Sequence, residues 1–293
     1  MTEAALPPGW PAMSIADAHA LLTAPGIPFE TEEVVVRGVK MKSWKNSPPS
    51  LRAVVEAGRA HGERIFLVYE DERVSFEAFH RAVANLAKEF AAQGVQKGDR
   101  VAIVMRNLPE WVVAFYAGAV LGAIVTPLNA WWTGAELEYG LTDSGAKILV
   151  LDAERYERLV EHLPNCRDLV RVYVSRETEE IAHPEVSKVE DVIGGANDWA
   201  NLPDIPLPAV DIHPDDDATI FYTSGTTGKP KGALGTNRGV NSNIMTAAAA
   251  GARRFLRRGE MPPAPDPEAP QRSSLISIPF FHVTGCMAVL NPS

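Results

Sequence analysis

The feature that most constrains the fold of this chain is a segment rich in glycine and hydroxyl groups, residues 223–232 (TSGTTGKPKG). It follows an apolar, β-branched and aromatic run, residues 218–222, which is typical of a buried strand. Residues 237–250, behind the segment, have the composition of a helix. The sequence therefore predicts a strand, a glycine-rich loop and a helix in succession, which is a common way to bind phosphate.

The loop offers donors and cations and carries no negative charge. Its glycines, Gly225, Gly228 and Gly232, permit positive φ and let the backbone approach a ligand closely. Successive backbone N–H groups in such a loop form an anion-binding concavity. Its hydroxyl groups and cations are Thr223, Ser224, Thr226, Thr227, Lys229 and Lys231. We therefore predict that residues 223–232 bind a polyphosphate.

The loop is not a Walker P-loop. The two glycines before Lys229 are only three residues apart, and Pro230 stands where that motif has Ser or Thr, so its spacing argues against a P-loop NTPase. The loop instead closely resembles the signature loop of the adenylate-forming superfamily. That superfamily comprises the acyl- and aryl-CoA synthetases, the luciferases and the adenylation domains of peptide synthetases.

The composition of the chain limits the classes of molecule and metal that it can bind. The chain has 293 residues, a formal charge of −9 and a pI near 5.3, and 46% of its residues are hydrophobic. This acidic balance argues against a nucleic-acid partner, because phosphate backbones require clustered Lys and Arg. The two cysteines, Cys166 and Cys286, exclude a disulfide framework and a Cys-rich zinc site. The start of the chain lacks the pattern of a signal peptide, and we expect a cytoplasmic protein.

One uncharged stretch, residues 111–135, is long enough to span a bilayer. Gly118, Gly122, Pro127 and Asn129 interrupt it, so we predict a buried helix over 109–121 and a buried strand over 123–128, with no transmembrane segment. A run of three aspartates, residues 215–217, could suggest a metal site, but it precedes the strand at the end away from the glycine-rich loop. We interpret it as a solvated turn.

Strands and helices alternate along the chain, which predicts an α/β fold with mostly parallel sheets flanked by helices. We predict helices over 14–22, 50–59, 109–121 and 154–163, helices beginning after Ser75 and after Thr133, and a short one near Val189. We predict strands over 33–36, 65–69, 72–74, 100–105, 123–128, 147–151, 169–174 and 274–278. The predicted units are an amino-terminal extension (1–50), a first α/β subdomain (51–212) and the start of a second (213–293) that carries the phosphate loop.

Further segments are similar to the same superfamily. Residues 74–79 (VSFEAF) and 118–129 (GAVLGAIVTPLN) stand at its first two packing motifs, and residues 279–285 (PFFHVTG) match the motif that lines its carboxylate and acyl pocket. The resemblance implies that Phe281, His282 and Gly285 bind the acid, that residues 223–232 hold ATP, that Lys231 and Thr226 take part in catalysis, and that Thr223 lies near Mg²⁺. The fold implied is the incomplete large amino-terminal domain of an adenylate-forming enzyme.

The activity implied is that of an acyl-CoA synthetase, which uses ATP, Mg²⁺ and coenzyme A to activate a fatty or other hydrophobic acid. The resemblance covers about half of a family enzyme; the adenine-binding segment, the ribose-binding Asp and the carboxy-terminal domain are not matched. We therefore expect the chain to be inactive alone, and a homodimer is left open. The alternatives are an aryl-CoA ligase, a peptide-synthetase adenylation domain, and a non-catalytic nucleotide- or pyrophosphate-binding fragment.

Overall fold

Helices and strands alternate through most of the chain. The computed structural model describes residues 9–223, 228–264 and 269–292. The helices are α1 (Ile15–Leu22), α2 (Leu51–Gly58), α3 (Phe76–Ala92), α4 (Pro109–Val120), α5 (Gly134–Ser144), α6 (Ala153–Leu159), α7 (Glu190–Ile193) and α8 (Asn237–Leu256). The strands are β1 (Thr31–Val36), β2 (Val39–Trp44), β3 (Ile65–Tyr69), β4 (Glu72–Ser75), β5 (Arg100–Val104), β6 (Ile124–Pro127), β7 (Ala146–Asp152), β8 (Arg171–Ser175), β9 (Val186–Lys188), β10 (Asp217–Thr223) and β11 (Lys231–Thr236).

Seven strands form one central sheet in the order β11-β10-β6-β5-β7-β8-β9. Neighbouring strands from β10 to β9 are parallel, and β11 alone pairs antiparallel, with β10. The prediction of an α/β fold with a mostly parallel sheet is confirmed. Strands β1 and β2 form one separate antiparallel hairpin, and β3 and β4 form another.

Both faces of the central sheet are covered, because successive residues of a strand point to opposite faces. Val101 and Ile103 of β5 belong to the apolar layer that contains α3 and α4, whereas Ala102 and Val104 belong to the layer that contains α5 and α6. A parallel sheet covered by helices on both sides is expected to have such continuous apolar strands. The sheet is thus rigid where its strands end.

Helix α4 is buried along its whole length, which explains its lack of charge apart from Glu110. Gly118 lets it approach the sheet closely, since a Cβ there would lie 3.1 Å from Val125 and 3.3 Å from Val101. The uncharged stretch 111–135 is therefore a core helix followed by β6, as predicted. None of the described helices is long and apolar enough to cross a bilayer.

Helix starts follow the capping residues that the sequence offers. The Ser75 hydroxyl accepts a hydrogen bond from the Ala78 N–H at 3.1 Å, and Thr133 and Glu136 form a reciprocal capping box at the start of α5. Cys166 and Cys286 are both free and buried, which agrees with the expectation of no disulfide.

Two differences from the predictions concern strands. The predicted buried strand over 274–278 was wrong: the segment is irregular, and the Leu275 side chain is 97% exposed. A strand needs a neighbour for its backbone groups, and the described part of the chain supplies none there. Strands β2, β9 and β11 were not predicted. Strands β10 and β11 continue the central sheet, so the strands before and after residue 212 belong to one sheet. The subdomain boundaries at residues 50 and 212 stay predictions.

Candidate functional site

A cleft of about 700 Å³ opens where β6 and β10 end at their carboxyl edge. Ligands of open α/β sheets bind at this edge of the strands. The residues that line the cleft come from the ends of both strands, from the start of α5 and from the segment after residue 277. They are Pro127, Asn129, Trp132, Glu136, Phe221, Tyr222, Thr223, Gly228, Pro230, Ile278, Phe281, His282, Val283 and Thr284.

One wall of the cleft is the glycine-rich segment, which is a β-hairpin rather than the strand–loop–helix that we predicted. Thr223 at the end of β10 pairs with Lys231 at the start of β11, and Tyr222 pairs with Gly232. The Thr223 hydroxyl donates to the Lys231 carbonyl oxygen at 3.4 Å. Gly228 has φ +95°, a conformation that L side chains rarely adopt, so glycine is required at this turn. Four predicted site residues, Ser224, Gly225, Thr226 and Thr227, lie outside the described residues.

Helix α5 anchors this hairpin through two tyrosines. The Tyr139 hydroxyl donates to the Pro230 carbonyl oxygen at 3.1 Å, and the Tyr222 hydroxyl donates to an Asp143 carboxylate oxygen at 2.6 Å. Burial, followed by the hydrogen bond to Asp143, raises the pKa of Tyr222, so its hydroxyl remains a donor. The Lys229 ammonium lies over the Tyr139 ring, 5.0 Å from its centre. These contacts fix the hairpin relative to α5.

The opposite wall carries the predicted acid-binding residues. Phe281 is buried, and its ring meets the Trp131 ring edge-on with 4.9 Å between the ring centres. His282 is exposed to the cleft, and its backbone N–H donates to the Pro279 carbonyl oxygen at 3.1 Å. Gly285 is packed behind this wall, where a Cβ would lie 2.3 Å from the Pro279 carbonyl oxygen. A bulky aromatic surface thus faces a hairpin of glycines and cations.

The predicted site residues divide into two groups. Thr223, Gly228, Phe281 and His282 line the cleft together. Lys229, Lys231 and Gly232 are exposed on the hairpin next to the cleft without lining it in this conformation, and Gly285 supports the opposite wall. Within residues 9–223, 228–264 and 269–292, no salt bridge engages Lys229 or Lys231. Lys231 is exposed, whereas the Lys229 ammonium lies over the Tyr139 ring.

Among the described residues, the carboxylates near the hairpin are engaged in hydrogen bonds and ion pairs. Glu136 lines the cleft but accepts hydrogen bonds from the Thr133 N–H at 2.8 Å and the Thr133 hydroxyl at 2.9 Å. In the described ranges, no three Asp, Glu, His or Cys side chains converge to hold a metal ion. The aspartates 215–217 instead form three separate ion pairs, with Arg238, Lys97 and Arg37.

Sequence reasoning missed three residues at this site. Asn107 hydrogen-bonds to the backbone of the Phe281 wall, Tyr139 anchors the hairpin, and Trp131 contacts Phe281. The signal for Tyr139 was its helical spacing from Glu136 and Asp143, which places all three on one face of α5. Asn107 offered no local signal.

The AMP-binding enzyme family matches residues 54–293. A long-chain-fatty-acid–CoA ligase, FadD13 of Mycobacterium tuberculosis, is 30% identical over 222 residues, which are 75% of this chain and 38% of that protein. 4-Hydroxybutyrate–CoA ligase 2 of Metallosphaera sedula is 27% identical over 69% of this chain and 37% of its own length. The chain thus spans less than two fifths of the length of these relatives.

Solved structures show the same fold. A long-chain-fatty-acid–CoA ligase (FadD1) of Archaeoglobus fulgidus superposes with a TM-score of 0.63 at 23% identity, over 83% of this chain and 45% of that one. The anthranilate CoA ligase AuaEII, solved with anthranoyl-AMP, superposes with a TM-score of 0.58 at 24% identity, over 68% of this chain and 36% of that one. These similarities confirm the resemblance that the motifs indicated.

Proposed function

Because the chain belongs to the AMP-binding enzyme family, the adenylate-forming CoA ligases, we propose that it is the acid- and phosphate-binding part of an acid–thiol ligase. The observation that carries the proposal is the cleft between the glycine hairpin and the Phe281–His282 wall. One wall suits the phosphates of ATP and the other suits a carboxylic acid with an apolar body. The two reactants of an adenylation would meet between them.

The reaction proposed joins these two reactants before the thiol enters. A carboxylate is a poor acyl donor, because its leaving group would be oxide. An oxygen of the carboxylate attacks the α-phosphate of ATP, the bond to the β-phosphate breaks, and pyrophosphate leaves. The thiol of coenzyme A then attacks the acyl carbon of the adenylate, AMP leaves, and the thiol proton is released. The protein forms no covalent bond, so catalysis rests on positioning and charge stabilisation.

On the phosphate side, we propose that residues 223–232 hold the β- and γ-phosphates. The exposed Lys231 ammonium and the backbone of Gly228 and Gly232 would stabilise the departing pyrophosphate, with Thr226 as a further catalytic donor. One preorganised donor of this kind contributes roughly 3 kcal/mol to transition-state stabilisation. Lys229 starts over the Tyr139 ring and would leave that ring to reach a phosphate.

Magnesium is proposed only as an ion that arrives with ATP. Mg²⁺ keeps several waters and is usually held by phosphate oxygens and one or two protein oxygens. The exposed Thr223 hydroxyl, which donates a long hydrogen bond to the Lys231 carbonyl oxygen, can supply one such oxygen. When bound, the ion would neutralise phosphate charge. We assign no residue to coenzyme A.

On the acid side, we propose Phe281, His282 and Gly285 as the acid-binding wall and a fatty or other hydrophobic acid as substrate. The apolar and aromatic cleft residues Trp132, Phe221, Ile278 and Phe281 support an apolar body. Relatives of this chain carry the names of fatty-acid, 4-hydroxybutyrate and anthranilate CoA ligases. An aryl-CoA ligase therefore stays an alternative, as does a peptide-synthetase adenylation domain.

The test is the exchange of labelled pyrophosphate into ATP in the presence of a carboxylic acid, measured over a panel of such acids. It uses the intact protein, meaning the full-length protein that contains these 293 residues. The panel contains short, medium and long fatty acids, aryl acids and amino acids. We expect exchange that depends on a hydrophobic acid and stops when ATP is replaced by GTP. Exchange with amino acids alone would favour the adenylation domain. Pyrophosphate binding with no exchange for any acid would contradict the ligase and favour the non-catalytic binding protein.

A further inference from the structure

The segment that carries the Phe281–His282 wall is tied to the sheet by a side chain and not by a neighbouring strand. Residues 274–281 are irregular, and Ile278 is 39% exposed. Before Phe281, this segment is anchored in the core by Phe280, whose ring lies 5.0 Å from that of Trp111, and by the partly buried Ile276. The backbone around Phe280 therefore needs another partner to hold one position.

Asn107 supplies that partner. Its amide nitrogen donates to the Ile278 carbonyl oxygen at 2.9 Å, and its amide oxygen accepts from the Phe280 N–H at 2.8 Å. Both bonds have the length of good protein hydrogen bonds. A single side-chain amide thus makes one donated and one accepted bond to the segment, as a neighbouring strand would.

The backbone around Asn107 is held by the core. Asn107 lies in the short connection between β5 and α4, between the buried residues Met105 and Leu108. The N–H of Arg106 donates to a carboxylate oxygen of Asp152 at 3.1 Å, and Asp152 is 3% exposed at the end of β7. Asp152 also receives the Arg155 guanidinium at 3.3 Å. The backbone next to Asn107 is consequently held to the end of β7.

We propose that Asn107 is a positioning residue that sets the distance between the acid-binding wall and the phosphate hairpin. The inference rests on the proposed function, because it assigns the wall to the acid. Asn107 lies behind the wall and touches the backbone on either side of Pro279, two to four residues before His282. Loss of its bonds lets Phe281 and His282 shift while the hairpin, which α5 holds through Tyr139, stays in place.

The proposal predicts that loss of the Asn107 amide changes the KM for the acid and not the KM for ATP. In pyrophosphate exchange by the intact protein, Asn107→Ala is expected to raise the KM for the acid about tenfold or more, because small displacements of positioning groups have large effects. The KM for ATP is expected to change less than about twofold, since the hairpin keeps its anchors. Asn107→Asp keeps the acceptor for the Phe280 N–H but places a carboxylate against the Ile278 carbonyl oxygen. We therefore expect its KM for the acid to lie between those of wild type and Asn107→Ala.

A second measurement does not depend on the reaction. Amide hydrogen exchange of Phe280 in the 293-residue chain is expected to be faster in Asn107→Ala and close to wild type in Asn107→Asp. The matched control is Asn85→Ala, because the Asn85 amide likewise donates to backbone oxygens, those of Arg81 and Pro203 at 2.9 and 3.0 Å, away from the cleft. The control is expected to change neither Phe280 exchange nor the KM for the acid.

The outcomes distinguish the two proposals. Unchanged Phe280 exchange in Asn107→Ala would overturn the tether, whatever the kinetics. Faster exchange with an unchanged KM for the acid, or with equal rises in both KM values, would overturn the positioning role and leave a structural one. A wild-type protein with no acid-dependent turnover would contradict the proposed function and the assignment of the wall to an acid, while Phe280 exchange would still decide the tether.

Discussion

At the scale of single residues, the wall formed by Phe281 and His282 depends on a glycine. A Cβ at position 285 would lie 2.3 Å from the Pro279 carbonyl oxygen and 2.9 Å from that of Ile278. Backbone atoms cannot rotate away as a side chain would, so Gly285→Ala is expected to displace the turn. We expect a loss of about 1–3 kcal/mol in the free energy of unfolding, measured by urea denaturation.

Gly251→Ala is the matched control for this substitution, because nothing lies within 4 Å of a Cβ at position 251 in α8. Alanine is favoured over glycine inside a helix by about 1 kcal/mol, so the control is expected to be neutral or stabilising. Equal destabilisation by both alanines would contradict the role assigned to Gly285.

The positions of the cleft residues were predictable where one short segment carried them. Thr223, Gly228, Phe281 and His282 were named from their own motifs, and all four line one cleft. Asn107 and Tyr139 were not, because their partners are 171 and 91 residues away in sequence. An amide or a hydroxyl on a helix or loop has many uses, and only tertiary contact selects one of them.

At the scale of secondary-structure elements, Asn237 joins two helices that are distant in sequence. It is 3% exposed, and its amide oxygen accepts from the N–H of Leu51, the first residue of α2, at 3.0 Å. Asn237→Ala would leave that buried N–H without its partner. We expect a loss of about 1–3 kcal/mol in unfolding free energy, measured by urea denaturation.

Asn165→Ala provides the comparison for Asn237, because Asn165 is exposed and its side-chain amide donates to the Glu138 carboxylate at 3.1 Å. Its effect is expected to stay within about 0.5 kcal/mol. A loss of that small size in Asn237→Ala as well would show that α2 does not depend on this bond. The cap of α8 is a different residue, Thr236, whose hydroxyl accepts from the Gly239 N–H at 3.2 Å.

Most elements were predictable because apolar runs and caps are local signals. Strand β11 was missed because its two glycines, Gly232 and Gly235, disfavour a strand by composition. Strand β2 carried a signal that was overlooked, the alternation of Val39 and Met41 with Lys40 and Lys42. The wrong strand over 274–278 had an apolar composition, but a strand also needs a partner, which composition does not reveal.

At the scale of the whole molecule, a charged cluster at the start of α3 links stability to pH. The Glu77 carboxylate accepts from Arg59 at 2.8 and 2.9 Å and from Arg81 at 3.0 Å, and Arg59 also pairs with Asp204. The hydrogen bond from Arg59 lowers the pKa of Glu77 from 4.5 to about 2. A pKa lowered by folding means that the unfolded chain binds protons more readily, so stability falls as the pH drops through this range.

Urea unfolding between pH 7 and pH 2 measures this linkage. Glu77→Gln is expected to lower stability at pH 7 by about 1.5–3 kcal/mol and to flatten the decline between about pH 4.5 and pH 2. The neighbouring His80, whose pKa burial lowers, adds a decline of the same sign that begins at higher pH and remains in the variant. Glu33→Gln, at an exposed site on β1, is the control. Parallel profiles for wild type and Glu77→Gln would contradict the linkage.

The function proposed for the whole molecule depends on the glycine hairpin as the holder of the ATP phosphates. Lys231→Ala in the intact protein tests this most directly when its two half-reactions are measured separately. We expect adenylate formation to slow about a hundredfold, while thioester formation from supplied acyl-AMP changes little, since pyrophosphate leaves only in the first step. Lys40→Ala, at an exposed lysine of β2, is expected to change neither rate. Equal losses in both half-reactions for Lys231→Ala, or none in either, would contradict the central claim.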